Sequence, residues 1–96
     1  MNEFVIAAPA TLDVHTRGAF REEALALLVR LGDGGGALVV DLSATRRVDS
    51  AGLGTLVMIQ GRASERKHGV VLRGVSEEIR FLLLMTRLED RFAFEP

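Results

Sequence analysis

The tightest constraint on what this chain can become is the stretch Ala37-Leu38-Val39-Val40-Asp41-Leu42. It is an unbroken apolar run of strand length, rich in β-branched residues, and such a run marks a strand covered on both faces. A strand of that kind belongs in the middle of a sheet, with helices packed against it. The flanking sequence supplies both. Phe4 to Ala7 reads as a first strand, ended by Ala8-Pro9 and placed at an edge, and Thr11 to Val14 as a second short extended piece. From about Thr16 to Leu31 the period becomes helical, with Phe20, Ala24, Leu27, Leu28 and Leu31 opposite Arg17, Arg21, Glu22 and Arg30. The run Gly32-Asp33-Gly34-Gly35-Gly36 stops that helix, since glycine takes the left-handed backbone of a helix end without steric cost.

Beyond the central strand, Ser43 to Arg47 reads as a polar link. A second helix then opens at Val48-Asp49-Ser50-Ala51-Gly52 and runs to about Arg66, with Leu53, Leu56, Val57 and Ala63 on one face. His68-Gly69 ends it, and Val70-Val71-Leu72 is the next strand. Ser76-Glu77-Glu78 starts a third helix, its carboxylates at the positive end of the dipole, and Arg91 to Glu95 adds a last short strand. Strands alternating with helices demand parallel crossovers. The expectation is one α/β domain over residues 1–96, a mixed, mostly parallel sheet of four to five strands flanked by three to four helices.

Composition limits the function. Lys plus Arg (12) nearly balances Asp plus Glu (13), for a net charge of -1, so no basic field exists to attract nucleic acid directly. The chain has no cysteine, which removes disulfides, thiolate metal sites and thiol catalysis and fits a reducing cytoplasm. Met1 to Ala10 lacks the basic and long apolar regions of a signal peptide, and no stretch approaches the ~20 apolar residues of a membrane span. His15 and His68 lack the spacing of metal ligands and sit at element boundaries, where solvated or turn roles are usual. No cofactor motif is present: the glycine run joins a helix to a strand and has no following lysine, unlike a phosphate-binding loop. At 96 residues, a large share of the surface stays wet, and apolar surface is available for a partner or a second copy of the chain.

One constellation stands out. Ser50 lies where strand chemistry yields to helix chemistry, beside the unpaired N–H groups of the second helix. The helix terminus there offers donors and partial positive charge. The simplest reading is that Ser50 or Asp49 is only the helix N-cap. Gly52 and Gly54 serve either close approach by a partner or packing of the helix on the sheet. Leu53, Met58 and Ile59 form either an exposed patch or an ordinary buried face. Asp41 and Asp13 are either paired carboxylates or, as is commoner, a strand end and a loop or helix cap.

Val39-Val40-Asp41-Leu42-Ser43 followed by Val48-Asp49-Ser50-Ala51-Gly52-Leu53-Gly54 resembles the signature of STAS domains. Leu12-Asp13 and Leu88-Glu89-Asp90-Arg91-Phe92 resemble further family segments, so the likeness spans nearly the whole length. The resemblance implies a non-enzymatic, cytoplasmic anti-sigma-factor antagonist that switches partners through phosphorylation of Ser50. Its partner would be an anti-sigma factor with serine kinase activity. The implied partner-binding residues are Asp49, Ser50, Ala51, Gly52, Leu53, Gly54 and Asp13, with Asp49 orienting the serine or the kinase. Ala51 stands where antagonists of this family usually carry a second Ser or Thr, so contacts needing a hydroxyl there are absent. Pro9-Ala10-Thr11-Leu12-Asp13 and Ser50-Ala51-Gly52 also resemble the small STAS subunits that sit on the ATPase of phospholipid-trafficking ABC transporters, where Ser50 would be an interface contact. An enzymatic alternative, the Gly-x-Ser-x-Gly elbow of α/β-hydrolases, fits poorly because Val48 occupies the first glycine position.

Overall fold

The computed structural model describes residues 2–96. Met1, part of the stretch read as lacking signal-peptide character, lies outside the described residues. The elements run β1 (Glu3–Ala7), β2 (Thr11–Leu12), α1 (Arg17–Leu31), β3 (Ala37–Asp41), β4 (Arg47–Val48), α2 (Ser50–Glu65), β5 (Gly69–Arg73), α3 (Glu77–Met85) and β6 (Ala93–Glu95), with a 3-10 turn at Glu89–Arg91 before β6. Four strands form one sheet in the order β1-β3-β5-β6, every pair parallel. The sheet is therefore wholly parallel rather than mixed.

That order fixes where the helices go. The chain always steps to the next strand in the same direction, and a right-handed crossover then places α1, α2 and α3 on the same face. The register agrees, since Ile6, Val40, Leu72 and Phe94 form one row across all four strands. With Leu38 and Val70 they join Phe20, Ala24 and Leu28 of α1, Leu56 and Ile59 of α2, and Ile79 and Leu83 of α3 in one core. The next row, Val5, Val39, Val71 and Ala93, alternates to the opposite face. Leu38, Val39 and Val40 are all fully buried, as the apolar run requires. The helices nevertheless cover only one side: Val39 is enclosed on the other face, while Val5 beside it is 49% exposed.

The link after β3 is not simply polar loop. Arg47–Val48 pairs in parallel with Thr11–Leu12, forming a separate two-stranded sheet that sequence periodicity cannot register in two residues. Loop contacts hold it in place: Thr45, buried, donates its hydroxyl to the Pro9 carbonyl at 2.8 Å, and the Arg46 N–H donates to the Ala10 carbonyl at 2.8 Å.

At the far end of α2, His68 takes the second of the two roles expected of it, solvated or turn. It is buried, its Nδ1 accepts from the Gly36 N–H at 2.9 Å, and its Nε2 lies 2.6 Å from the Gly32 carbonyl, which defines a neutral ring protonated on Nε2. The imidazole thus staples the glycine run to the end of α2, and a Cβ on Gly36 would meet Nδ1 at 2.9 Å.

Replacement His68→Ala leaves the Gly36 N–H and the Gly32 carbonyl without their partner and opens a cavity. The expected cost is about 2–4 kcal/mol, read as a shift of the urea midpoint at constant slope. An unshifted midpoint would show that the ring holds nothing together. Gly52→Ala should also destabilise, because its Cβ would stand 2.1 Å from the Leu12 carbonyl oxygen and push backbone against backbone. The expected cost of such overpacking is about 1–3 kcal/mol in thermal unfolding, whereas Gly54→Ala, with open space around it, should be neutral or slightly stabilising.

Candidate functional site

The small β2–β4 sheet builds the site. Its register aligns Thr11 with Arg47 and Leu12 with Val48, so the residues that follow, Asp13 and Asp49, leave the two strands side by side. The pairing continues one step further, with the Asp49 N–H donating to the Leu12 carbonyl at 3.2 Å. Thr11, Asp13, Arg47, Val48 and Asp49 line a shallow depression of about 330 Å³. Ser50 is the next residue in the chain.

Each carboxylate has a different local task. Asp49 is the N-cap of α2: its backbone is extended and its Oδ1 accepts from the Gly52 N–H at 2.8 Å. Asp13 shapes the loop entering α1, with Oδ1 accepting from the backbone N–H of His15 at 2.9 Å and of Thr16 at 3.1 Å. The donation from His15, reinforced by those from Thr16, holds the Asp13 carboxyl below its ordinary range. Asp41 instead ends β3 and turns on itself, its Oδ1 accepting from the Ser43 hydroxyl at 2.6 Å and the Ser43 N–H at 2.9 Å. Those bonds, the hydroxyl's first, keep its carboxyl low too. The carboxylate brought beside Asp13 is therefore Asp49, and Asp41 pairs with Ser43.

Because Asp49 does the capping, Ser50 need not. Ser50 is the first residue of α2, exposed, and its hydroxyl has no hydrogen-bond partner among the described residues. The backbone N–H groups of Ser50 and Ala51 open the helix, while Gly52 and Leu53 are already bonded to Asp49 through its side chain and carbonyl. An exposed hydroxyl beside free helix-terminal donors can accept a charged group without disturbing the turn beneath it.

The other residues expected at the site divide into surface and support. Asp49 and Gly54 are exposed, and Ala51 and Asp13 are half-buried. Gly52 and Leu53, expected among the partner-binding residues, are buried and face inward. Gly52 lies against the Leu12 backbone, and Leu53 is part of the core. Ile59 is likewise core and Met58 half-buried, so the patch imagined from Leu53, Met58 and Ile59 is an ordinary helix interior. Sequence reading gave no site role to Arg47 or Val48, whose signal was their place immediately before the Asp-Ser pair. Among the described residues, no three His, Asp or Glu side chains converge as a metal site requires, and no helix is long and apolar enough to cross a membrane.

Solved structures share this architecture. A crystallised protein from Thermotoga maritima, described as "a putative anti-sigma factor antagonist", superposes with a TM-score of 0.78 at 20% identity, over 94% of this chain and 77% of that one. A sulfate transporter family protein from Wolinella succinogenes gives a TM-score of 0.66 at 15% identity, over 97% of this chain and 75% of that one. At these identities the likeness concerns the fold alone. A search of curated proteins returns no matching sequence. The family model described as "Mlab, STAS domain" matches residues 2–94, and with the Asp-Ser turn seated at the mouth of α2, the chain belongs to the STAS domain family.

Proposed function

We propose that this STAS domain is a non-enzymatic binding protein of the anti-sigma-factor antagonist kind, released from an anti-sigma kinase by phosphorylation of Ser50. The observation that carries the reading is the division of labour at α2: Asp49 supplies the cap, and the Ser50 hydroxyl is left exposed with no internal partner. A serine needed only for capping would have its oxygen turned back onto the helix amides. The contact surface is formed by Asp13, Asp49, Ser50, Ala51 and Gly54, supported from below by Gly52 and Leu53.

Phosphate on Ser50 would add roughly -1.5 to -2 charge beside the Asp13 and Asp49 carboxylates. The resulting acidic cluster is a poor match for a surface fitted to a neutral hydroxyl, while the free N–H groups of Ser50 and Ala51 limit the cost within the domain itself. The change lies in the surface potential, with the backbone left in place.

A second reading rests on the likeness of Pro9-Ala10-Thr11-Leu12-Asp13 and Ser50-Ala51-Gly52 to the STAS subunits of phospholipid-trafficking ABC transporters: the same surface docks on a transporter ATPase, with Ser50 as an unmodified contact. Affinity measurements on purified wild type, Ser50→Ala and Ser50→Asp against an anti-sigma kinase and a transporter ATPase from the same organism separate the two. The expected result is kinase binding, transfer of one phosphate from ATP to Ser50 detected by mass spectrometry, and a loss of at least about tenfold in affinity for Ser50→Asp, ~1.4 kcal/mol, with Ser50→Ala retained. Binding to the ATPase alone, without phosphate transfer, would replace the first reading with the second.

A further inference from the structure

Three of the six large apolar side chains exposed among the described residues lie on α3: Phe81 (61%), Leu84 (50%) and Met85 (65%). Phe81 and Met85 are four residues apart and so share one side of the helix. They form a rim of a groove of about 340 Å³ between α3 and β4, whose lining includes Leu82, Val48, Arg46 and Arg47. Arg47 and Val48 also line the depression that holds Asp13 and Asp49, so the groove and the Ser50 surface are continuous across β4.

Charge indicates the occupant. Arg46 and Arg47 are exposed, and neither is paired with a carboxylate among the described residues. Two free guanidinium groups beside an open apolar groove complement a segment that is apolar on one face and acidic on its flank. An anionic membrane would also meet those arginines, but Glu77 and Glu78 stand in the first turn of the same helix, and Glu78 lines the groove itself. A negatively charged lipid surface would be repelled at that end, whereas a discrete protein segment can place its charges selectively. From this we infer that the β4–α3 groove is the apolar anchor of the same docking surface, and that it takes an amphipathic partner helix with acidic residues facing Arg46 and Arg47.

The inference rests on the Ser50 surface being the partner-facing one, and the test keeps the two separable. Phe81→Ser combined with Met85→Ser, and separately Arg46→Glu combined with Arg47→Glu, change exposed side chains, and circular dichroism checks that each variant is folded. Affinities for the purified anti-sigma kinase and transporter ATPase are measured beside Ser50→Asp. Each groove variant should weaken binding of the partner by about tenfold or more, and the charge-reversal loss should shrink as salt is raised.

Unchanged affinity in both groove variants, with Ser50→Asp still releasing the partner, would overturn the groove and leave the functional reading standing. Loss in the groove variants with Ser50→Asp silent would sustain the groove and overturn the serine switch. Failure of both proteins to bind wild type would overturn both. Flotation with phosphatidylglycerol vesicles, or a dimer by sedimentation, abolished by Phe81→Ser/Met85→Ser while partner affinity stays unchanged, would reassign the groove to a membrane or to a second copy.

Discussion

The seating of α2 on the Leu12 backbone is the contact on which the rest of the site depends. At that point the Asp49 N–H reaches the Leu12 carbonyl, and Gly52 lies so close to the same oxygen that no side chain could fit between them. Leu12 itself is fully buried, so the contact is anchored in the core rather than floating at the surface. It brings the strand before α1 and the strand before α2 into register and thereby sets Asp13 beside Asp49. Glycine at position 52 is thus a steric requirement of this approach, and its role is structural although Ser50 and Gly54, two residues to either side, are exposed.

Within that seat, functions are distributed over adjacent residues with little overlap. Asp49 satisfies an amide that would otherwise be orphaned, Gly52 makes the approach possible, Leu53 enters the core, and Ser50 is left with a hydroxyl that the fold does not use. The same economy appears at the opposite end of α2, where His68 binds the glycine run at two points. Both ends of α2 are thus tied by side-chain hydrogen bonds, the kind of support that preorganises a surface for recognition.

The fold was legible in the sequence where the signal was long and periodic. The apolar run at 37–42, the spacing of Phe20, Ala24 and Leu28, and the Ser76 cap followed by two glutamates each carry enough residues, or a specific enough chemistry, to be read alone. What escaped depends on contacts distant in sequence. A two-residue strand such as Arg47–Val48 has no period, and its identity comes from Thr11 and Leu12 some thirty-six positions away. Which of the solvated and turn roles His68 takes could not be read locally, because its partners, Gly32 and Gly36, lie in another loop. The apolar run reported burial on both faces of β3 correctly, but it could not say that the helices lie on one face alone, a consequence of strand order that no single strand encodes. At the site, the Asp-Ser turn was readable from local chemistry, but which of Asp49 and Ser50 caps the helix was settled only by geometry.

Magnitudes show why a charge at this position suits the proposed switch. An anion at a helix terminus gains typically 0.3–1 kcal/mol from the dipole, and two exposed like charges at about 4 Å in water repel by roughly 1 kcal/mol. Within the free domain the open amides offset part of the repulsion that phosphate on Ser50 would meet from the Asp49 and Asp13 carboxylates, and salt and water screen the remainder. Across a docked interface water is excluded and that screening is lost: a buried charge left without a partner costs on the order of 3–5 kcal/mol. The same phosphate would therefore cost the solvated free fold less than it would cost the complex. That asymmetry requires the hydroxyl to be exposed in the free chain and covered in the bound one, and the apolar groove continuous with it across β4 supplies a reason for a partner to cover that end of the molecule.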